Sequence, residues 1–382
     1  MVVTRQVAAA ARRKAIPTSN NGHNPEDDKK KLAMDDLLAT LTGKYGKSAL
    51  IRLGDQPAEK WECIHSGCLS LDVALGGGYP VGRVIEVYGP ESSGKTTLAL
   101  HAIAEVQKAG GKAVLIDAEH ALNRPYTEKL GVVIDDLYLI QPDTGEQALD
   151  SCDEMARSGL FQLIVVDSVS ALLPRAELEG DVGQQQMAGQ ARLISGAMRK
   201  IIGSASKGKC TVIFINQLRY KVGMIYGNPE VTSGGQALKY YSSVRIDVRK
   251  KEVLKNGDTA IGIKVRAKVV KNKVFPPLRE ATFDLLFASG IDELGGLVDA
   301  AEMSGAITRK GAWYYFGERR LGQGRDNAVE YVRADSALQK EVEESTRQTL
   351  NTSPELLAAT SEEHDDPDPE GEQPADDFDA PL

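Results

Sequence analysis

Residues 84–106 read VIEVYGPESSGKTTLALHAIAEV, and the fold follows from this stretch. It opens with an apolar run of strand length, fits G-x-x-x-x-G-K-[ST] in full over residues 89–96, and continues with helix-forming residues. A glycine loop between a strand and a helix is a cradle for phosphate. Gly89 and Gly94 let the backbone turn so that its N–H groups face an anion, and the helix that follows adds its positive end. Pro90, Glu91, Ser92 and Ser93 complete the loop, and Thr97 continues the nucleotide-binding set. Lys95 is placed to reach the β- and γ-phosphates of ATP, and the Thr96 hydroxyl to bind Mg²⁺.

Outward from this loop, residues 113–117 (AVLID), 163–167 (LIVVD) and 211–215 (TVIFI) are further apolar segments of strand length. Helix-compatible stretches lie at about 96–108, 145–158 and 186–203. Near-continuous Val/Ile/Leu strands alternating with helices predict an α/β fold whose mainly parallel sheet is covered on both faces. Residues 243–250 and 261–274 are expected to add strands, the second followed by Pro276 and Pro277. From about 293 to 350 the pattern becomes a small α/β mixture. Near the start, Leu32, Leu37, Leu38 and Leu41 have near-helical spacing until Gly43 and Gly46 interrupt it.

Ligands of an open parallel sheet sit beyond the carboxyl ends of its strands. There the sequence delivers Asp117-Ala118-Glu119-His120, Asp167-Ser168 and Asn216-Gln217. Asp167, after four apolar residues, is a Walker-B-type carboxylate suited to a metal's water shell. Glu119 is suited to orient or deprotonate an attacking water, and Gln217 to sense a γ-phosphate. Polar residues commonly end strands, so Glu119 and Gln217, each alone, are equally consistent with ordinary strand ends, whereas Asp167 favours the metal-site reading. Together, beside one phosphate loop, they point to a Mg²⁺-dependent ATPase.

The formal charge of −8 over 382 residues is unevenly placed. Residues 353–382 hold eleven Asp and Glu side chains with no Lys or Arg, so the rest of the chain carries +3. That tail is proline-rich and almost free of aromatics, which predicts disorder; it reads as a solubilising tail or as an acidic flap competing with nucleic acid. The first 24 residues hold Arg5, Arg12, Arg13 and Lys14 and no acid, consistent with a basic arm or an organelle-targeting peptide. No apolar run approaches the roughly 18–20 residues of a membrane span. Cys63, Cys68, Cys152 and Cys210 do not make a disulfide framework. Cys63-Ile64-His65-Ser66-Gly67-Cys68 offers three soft ligands, but no second cluster completes a tetrahedral site.

Longer strings carry a resemblance. SLDVALGGGYPVGRVIEVYGPESSGKTTLAL (70–100), LIDAEHAL (115–122), QPDTGEQAL (141–149), IVVDSVSALLPRAELEG (164–180), FINQLR (214–219), YGNPEVTSGGQALKYYSSVR (226–245), VVKNK (269–273) and GAWYY (311–315) closely resemble the bacterial RecA family of homologous-recombination proteins. The similarity runs from about residue 30 to 350. It implies a polymerisation helix and linker over 31–60 and a RecA-type ATPase core over 61–292, preceded by a disordered basic extension over 1–30 to which the resemblance assigns no role. A DNA-gathering domain over 293–350 and an acidic tail over 351–382 would follow.

The resemblance further implies an ATP- and Mg²⁺-dependent helical filament on single-stranded DNA that pairs it with homologous duplex and exchanges strands. It also implies activation of self-cleavage in repressor-type partners, and a cytoplasmic, nucleoid-associated location without a membrane. Glu119, Asp167, Ser168 and Gln217 would act in cis, and Lys271 and Lys273 would reach the phosphates of a neighbour. Tyr126 would stack on adenine beside Asn123, which stands where the family usually has Asp. DNA would meet a first loop over 180–187, bounded by Gly180 and Met187, and Arg192 on the next helix. A second loop over 218–233 would offer Arg219 and Lys221 to phosphates, and Met224, Ile225 and Tyr226 as wedges, with Gly234 and Gly235 following. Lys310, Arg319, Arg320 and Arg325 around Trp313 form a candidate basic patch. A filament scaffold without strand exchange and a ring-shaped helicase are the competing readings.

Overall fold

The computed structural model describes residues 25–46, 50, 61–180, 189–220 and 230–352. Two units divide the chain, Met1–Lys60 and Trp61–Leu382. In the first, helix α1 spans Pro25–Tyr45 and so exceeds the expected 32–43. Pro25 suits the first helical position, where its fixed φ is already helical and its missing N–H is not needed. Gly43 lies inside the helix, and the chain leaves it at Gly46 with φ 91°.

The second unit begins with a short bridge of β1 (Cys63–Ile64) and β2 (Tyr79–Pro80) around helix α2 (Leu69–Leu75). A ten-stranded sheet follows. Its strands are β3 (Val84–Gly89), β4 (Ala113–Asp117), β5 (Leu137–Ile140), β6 (Leu163–Asp167), β7 (Thr211–Tyr220), β8 (Glu230–Thr232), β9 (Val244–Asn256), β10 (Thr259–Asn272), β11 (Glu280–Leu286) and β12 (Gly290–Ile291). Their spatial order is β12-β11-β10-β9-β3-β7-β6-β4-β5, with β8 antiparallel against the far end of β7. All pairs from β9 through β5 are parallel, and antiparallel pairing starts at β9–β10. The mainly parallel α/β fold expected from the sequence is present. Strand β5 was not expected: its burial is only partial, and LYLI is too short to stand out.

Strand periodicity sends alternate residues to opposite faces. Ile85, Val87, Leu163, Val165, Ile213 and Ile215 enter one apolar cluster, and Val84, Ile164, Val166, Val212 and Phe214 enter another. Helix α3 (Lys95–Lys108) covers the first face with Leu98, Ala102 and Ile103. Helices α5 (Gly145–Ser158) and α7 (Gly189–Gly208) cover the second with Leu149, Cys152, Met198 and Ile201. Short helices α4 (Arg124–Lys129), α6 (Arg175–Leu178) and α8 (Ala237–Tyr241) sit in the connections.

After Asp292, whose side chain caps helix α9 (Glu293–Ser304), comes a three-stranded antiparallel sheet of β13 (Ile307–Lys310), β14 (Trp313–Phe316) and β15 (Arg319–Gln323). Helices α10 (Arg325–Arg333) and α11 (Ser336–Thr352) complete it. Its apolar cluster also takes Leu69 from α2. Arg325, expected in a basic patch, instead forms ion pairs with Asp299 at 2.7 Å and Asp284 of β11 at 3.5 Å. Arg319 pairs with Asp335, whereas Arg320 lies over the Trp313 ring and Lys310 over Tyr315.

His101 of α3 holds β12, the last strand of the sheet before this region. It is buried, and its Nε2 accepts the Ile291 N–H at 3.0 Å. Burial pushes its imidazole from 6.5 down to about 4; nearby Lys108 acts in the same direction and Glu105 against it. Glu293 Oε1 lies 4.0 Å from Nδ1. Below pH 6.5 the unfolded chain takes up a proton that the folded chain refuses, so stability falls as pH drops toward 4. Urea unfolding at pH 7 and 4.5 should show this site contributing a loss of about 2–3 kcal/mol. His101→Gln keeps an acceptor for Ile291 without the titration, so its acid limb should be shallower; an unchanged limb would contradict the assignment.

Candidate functional site

Backbone register brings the carboxyl ends of the parallel strands into line. Gly89 of β3 lies beside Gln217 of β7, and Asp117 of β4 beside Asp167 of β6. Gly89 must be glycine: a Cβ there would meet the Val248 carbonyl oxygen of β9 at 2.0 Å. The loop then turns through Gly94 at φ 95° and enters α3.

Within the loop, the buried Lys95 ammonium donates to the Pro90 carbonyl at 2.6 Å, so it lies folded back over the cradle. Burial lowers its pKa, against the pull of Asp167, Glu119 and Glu91. Ser93 is buried, and its hydroxyl has no hydrogen-bond partner among the described residues. A buried unpaired hydroxyl is costly, and an acceptor in the cradle would satisfy it. Thr96 Oγ1 donates to Asp167 Oδ2 at 2.7 Å. Burial raises the Asp167 carboxyl to about 6, opposed by that hydroxyl; Glu119 and Asp117 push it further up and Lys95 pulls it down. Hard oxygens with a carboxylate at the edge of a phosphate cradle suit a small divalent cation.

Asp117 serves the loop after β4. Its carboxylate accepts the Ala121 and Leu122 N–H groups and the Gln141 amide, each at 3.2 Å. That loop holds Glu119, whose Oε1 accepts from Gln217 Nε2 at 3.0 Å and from the Ser168 hydroxyl. The three strand ends predicted to carry polar chemistry are therefore joined side chain to side chain. Asn123 caps α4 by accepting the Tyr126 N–H at 3.1 Å, and the Tyr126 hydroxyl lies 3.3 Å from Thr97 Oγ1. Lys271 donates to the Lys239 and Tyr240 carbonyls at 2.6 and 3.0 Å. Burial, with Lys273 and Arg245 nearby, pushes Lys271 down to about 8. Lys273 is exposed.

Of the candidate DNA contacts, Met187, Lys221, Met224, Ile225 and Tyr226 lie outside the described residues. Gly180 and Arg192 are exposed. The expectation of a loop over 218–233 needs correction at both ends: β7 continues to Tyr220 and pairs with β8, Leu218 opposite Thr232 and Tyr220 opposite Glu230. Ladder hydrogen bonds to β8 extend the strand beyond its apolar part. Arg219 Nε donates to Ser233 Oγ at 3.0 Å. Gly234 has φ 80°, and a Cβ there would meet Ile194 of α7 at 2.4 Å.

Sequence reasoning missed the buried network beneath these groups. Glu86, fully buried in β3, accepts from Arg245 Nε at 2.6 Å and from Asn216 Nδ2 at 2.9 Å. A lone acid inside the apolar run VIEVY was the available signal, because a buried charge demands a partner. The Cys63–Cys68 segment is accounted for differently: His65 Nδ1 lies 2.8 Å from Asp72 Oδ2, and Cys68 is buried. Among the described residues no group of three or more His, Cys, Asp or Glu side chains is arranged to hold a metal, and no helix is long and apolar enough to cross a membrane.

A phosphate loop at the head of a parallel sheet, with carboxylates on the neighbouring strand ends, places the chain among P-loop nucleotide-binding ATPases. Comparison narrows this. Residues 32–292 match the protein-family model of the RecA N-terminal domain, and residues 295–351 that of the RecA C-terminal domain. Protein RecA of Arthrospira platensis is 54% identical over 321 residues, 84% of this chain and 88% of the relative. Protein RecA of Thermosynechococcus vestitus is 53% identical over 332 residues, 87% of this chain and 94% of the relative. Among solved structures, the crystal structure of the RadB recombinase has a TM-score of 0.47 at 24% identity, covering 60% of this chain and 98% of that one. The chain belongs to the RecA family. It is a DNA-dependent ATPase of homologous recombination and repair, binding nucleotide and DNA and forming filaments.

The unpaired Ser93 hydroxyl gives a test of the cradle. Ser93→Ala should raise the unfolding free energy of the nucleotide-free protein by up to about 1 kcal/mol, because it removes an unsatisfied buried group. The same change should weaken nucleotide binding about tenfold, read by titration calorimetry. A variant that is less stable and binds normally would count against the cradle.

Proposed function

We propose that the 89–96 loop binds ATP with Mg²⁺ and that hydrolysis there controls a helical filament on single-stranded DNA, which pairs with homologous duplex and exchanges strands. Lys95 leaves the Pro90 carbonyl for the β- and γ-phosphates. Thr96 and Asp167 would hold Mg²⁺, which would supply charge neutralisation at the phosphates. Glu119 orients and deprotonates the attacking water, and Ser168 and Gln217 fix its carboxylate. Tyr126 stacks on the base, and Lys271 and Lys273 serve the nucleotide of an adjoining protomer. Arg192, Arg219 and Lys221 meet DNA phosphates, while Met224, Ile225 and Tyr226 separate bases. The 31–60 segment docks on a neighbouring protomer, and residues 293–350 gather duplex. The filament acts in the cytoplasm and also stimulates self-cleavage of repressor-type proteins.

One observation carries this reading. The Gln217 amide contacts Glu119 at 3.0 Å, and the same strand runs on without a break into the 218–233 segment. A change at the nucleotide is thereby one residue from the DNA-facing segment. Hydrolysis should be measured without DNA, with single strands and with duplex. Single strands should stimulate it about tenfold or more, Lys95→Ala should abolish it, and Glu119→Gln should lower kcat by about 100-fold or more while keeping nucleotide affinity. Hydrolysis indifferent to DNA would overturn the coupling.

A further inference from the structure

Beyond Gln217 the strand β7 pairs, among the described residues, only with β8, which leads back to Ser233, and one buried side chain touches both Gln217 and Ser233. Asn216 is fully buried. Its Oδ1 accepts the Gln217 N–H at 2.9 Å, and its Nδ2 donates to the Ser233 carbonyl at 3.0 Å and to Glu86 Oε1 at 2.9 Å. The network fixes the amide's orientation, since a flipped amide would set its oxygen against two acceptors. Glu86 is itself held by Arg245 and lies on β3, the strand that feeds the phosphate loop. Ser233 closes the circuit: its N–H donates to the Gln217 carbonyl at 3.3 Å, and its hydroxyl accepts from Arg219.

We propose that Asn216 is a positioning residue for the DNA-stimulated reaction, tying the outgoing and returning ends of the 218–233 segment to the phosphate-loop strand. The inference rests on the reading above, in which Gln217 faces the nucleotide and 218–233 faces DNA. A shift of Gln217 toward the nucleotide moves the N–H that Asn216 accepts. Asn216 cannot stay behind without a buried unpaired group, and it cannot rotate alone without leaving Glu86 or Ser233 unpaired. Ser233, and Arg219 on it, therefore move with Gln217. Without Asn216, the described side-chain bonds between these ends are Arg219 on Ser233 and the long Tyr220 hydroxyl contact with Glu230 at 3.5 Å, and neither reaches the phosphate-loop strand.

The test compares Asn216→Ala with the wild type. Nucleotide affinity and DNA-free hydrolysis should stay within about threefold, while stimulation by single-stranded DNA should fall about tenfold or more. A merely structural role would depress all three together, and that result or unimpaired stimulation would overturn the proposal. Hydrogen exchange on the wild type, with and without a non-hydrolysable ATP analogue, decides the matter even if the variant does not fold. Peptides covering 214–220 and 230–236 should change protection together; a change confined to the first would overturn the tie. If the wild type shows no DNA stimulation, the functional reading fails, and exchange still decides whether the two ends are joined.

Discussion

The hydrogen-bond ladder between β3 and β7 sets Gly89 beside Gln217, and every other part of the site is placed relative to that pair. In a parallel ladder a slip of one residue turns each side chain to the opposite face. Here it would drive Ile213 and Ile215 out of one apolar cluster and Val212 and Phe214 out of the other, so both faces resist it. The register is held by greasy residues far more numerous than the polar ones it serves. The same holds between β4 and β6, where apolar pairing delivers Asp117 and Asp167 side by side. Catalytic geometry in this sheet is a by-product of hydrophobic packing.

Against that background the buried polar groups are costly and specific. Glu86 and Arg245 sit in the middle of the sheet, and such pairs add little net stability, though removing one partner is strongly destabilising. What they supply is a fixed point: Arg245 also lies over the Tyr88 ring, and Asn216 hangs from the other carboxylate oxygen. The nucleotide site above is less settled. Lys95 rests on its own loop carbonyl and Ser93 lacks a partner among the described residues, while Glu119 is already held. A rigid floor under incompletely paired phosphate-binding groups is what a site needs if it must distinguish bound nucleotide states.

The parallel sheet, the loop at 89–96 and the gathering of Glu119, Asp167 and Gln217 at the strand ends were all legible in the sequence, because each depends on local pattern: apolar runs, a glycine turn, a polar residue where a strand stops. What escaped is non-local. Nothing within LYLI announces a strand, since β5 is an edge whose residues are half exposed. The extension of β7 into the supposed loop depends on β8, which lies ten residues further on. Asn216 was read only as part of a polar strand end, because its partner Glu86 lies 130 residues earlier. Arg325 matched a basic patch by composition and turned out to face four carboxylates, which no count of charges could foretell.

Arg325 also governs how force crosses the second unit. A body attached by one strand of chain swivels; with a second anchor it only rocks about the line between them, and a third stops it. The C-terminal domain has its covalent link after β12, the Lys108 contact with Glu293 of α9 at 3.8 Å beside that link, and the Arg325 contact with Asp284 away on β11. Leu69 wedged into its apolar cluster is a further stop. The domain is thus a stiff outrigger of the sheet, and torque applied to it is delivered to β11 and onward through β10 and β9 to the strand beside the phosphate loop.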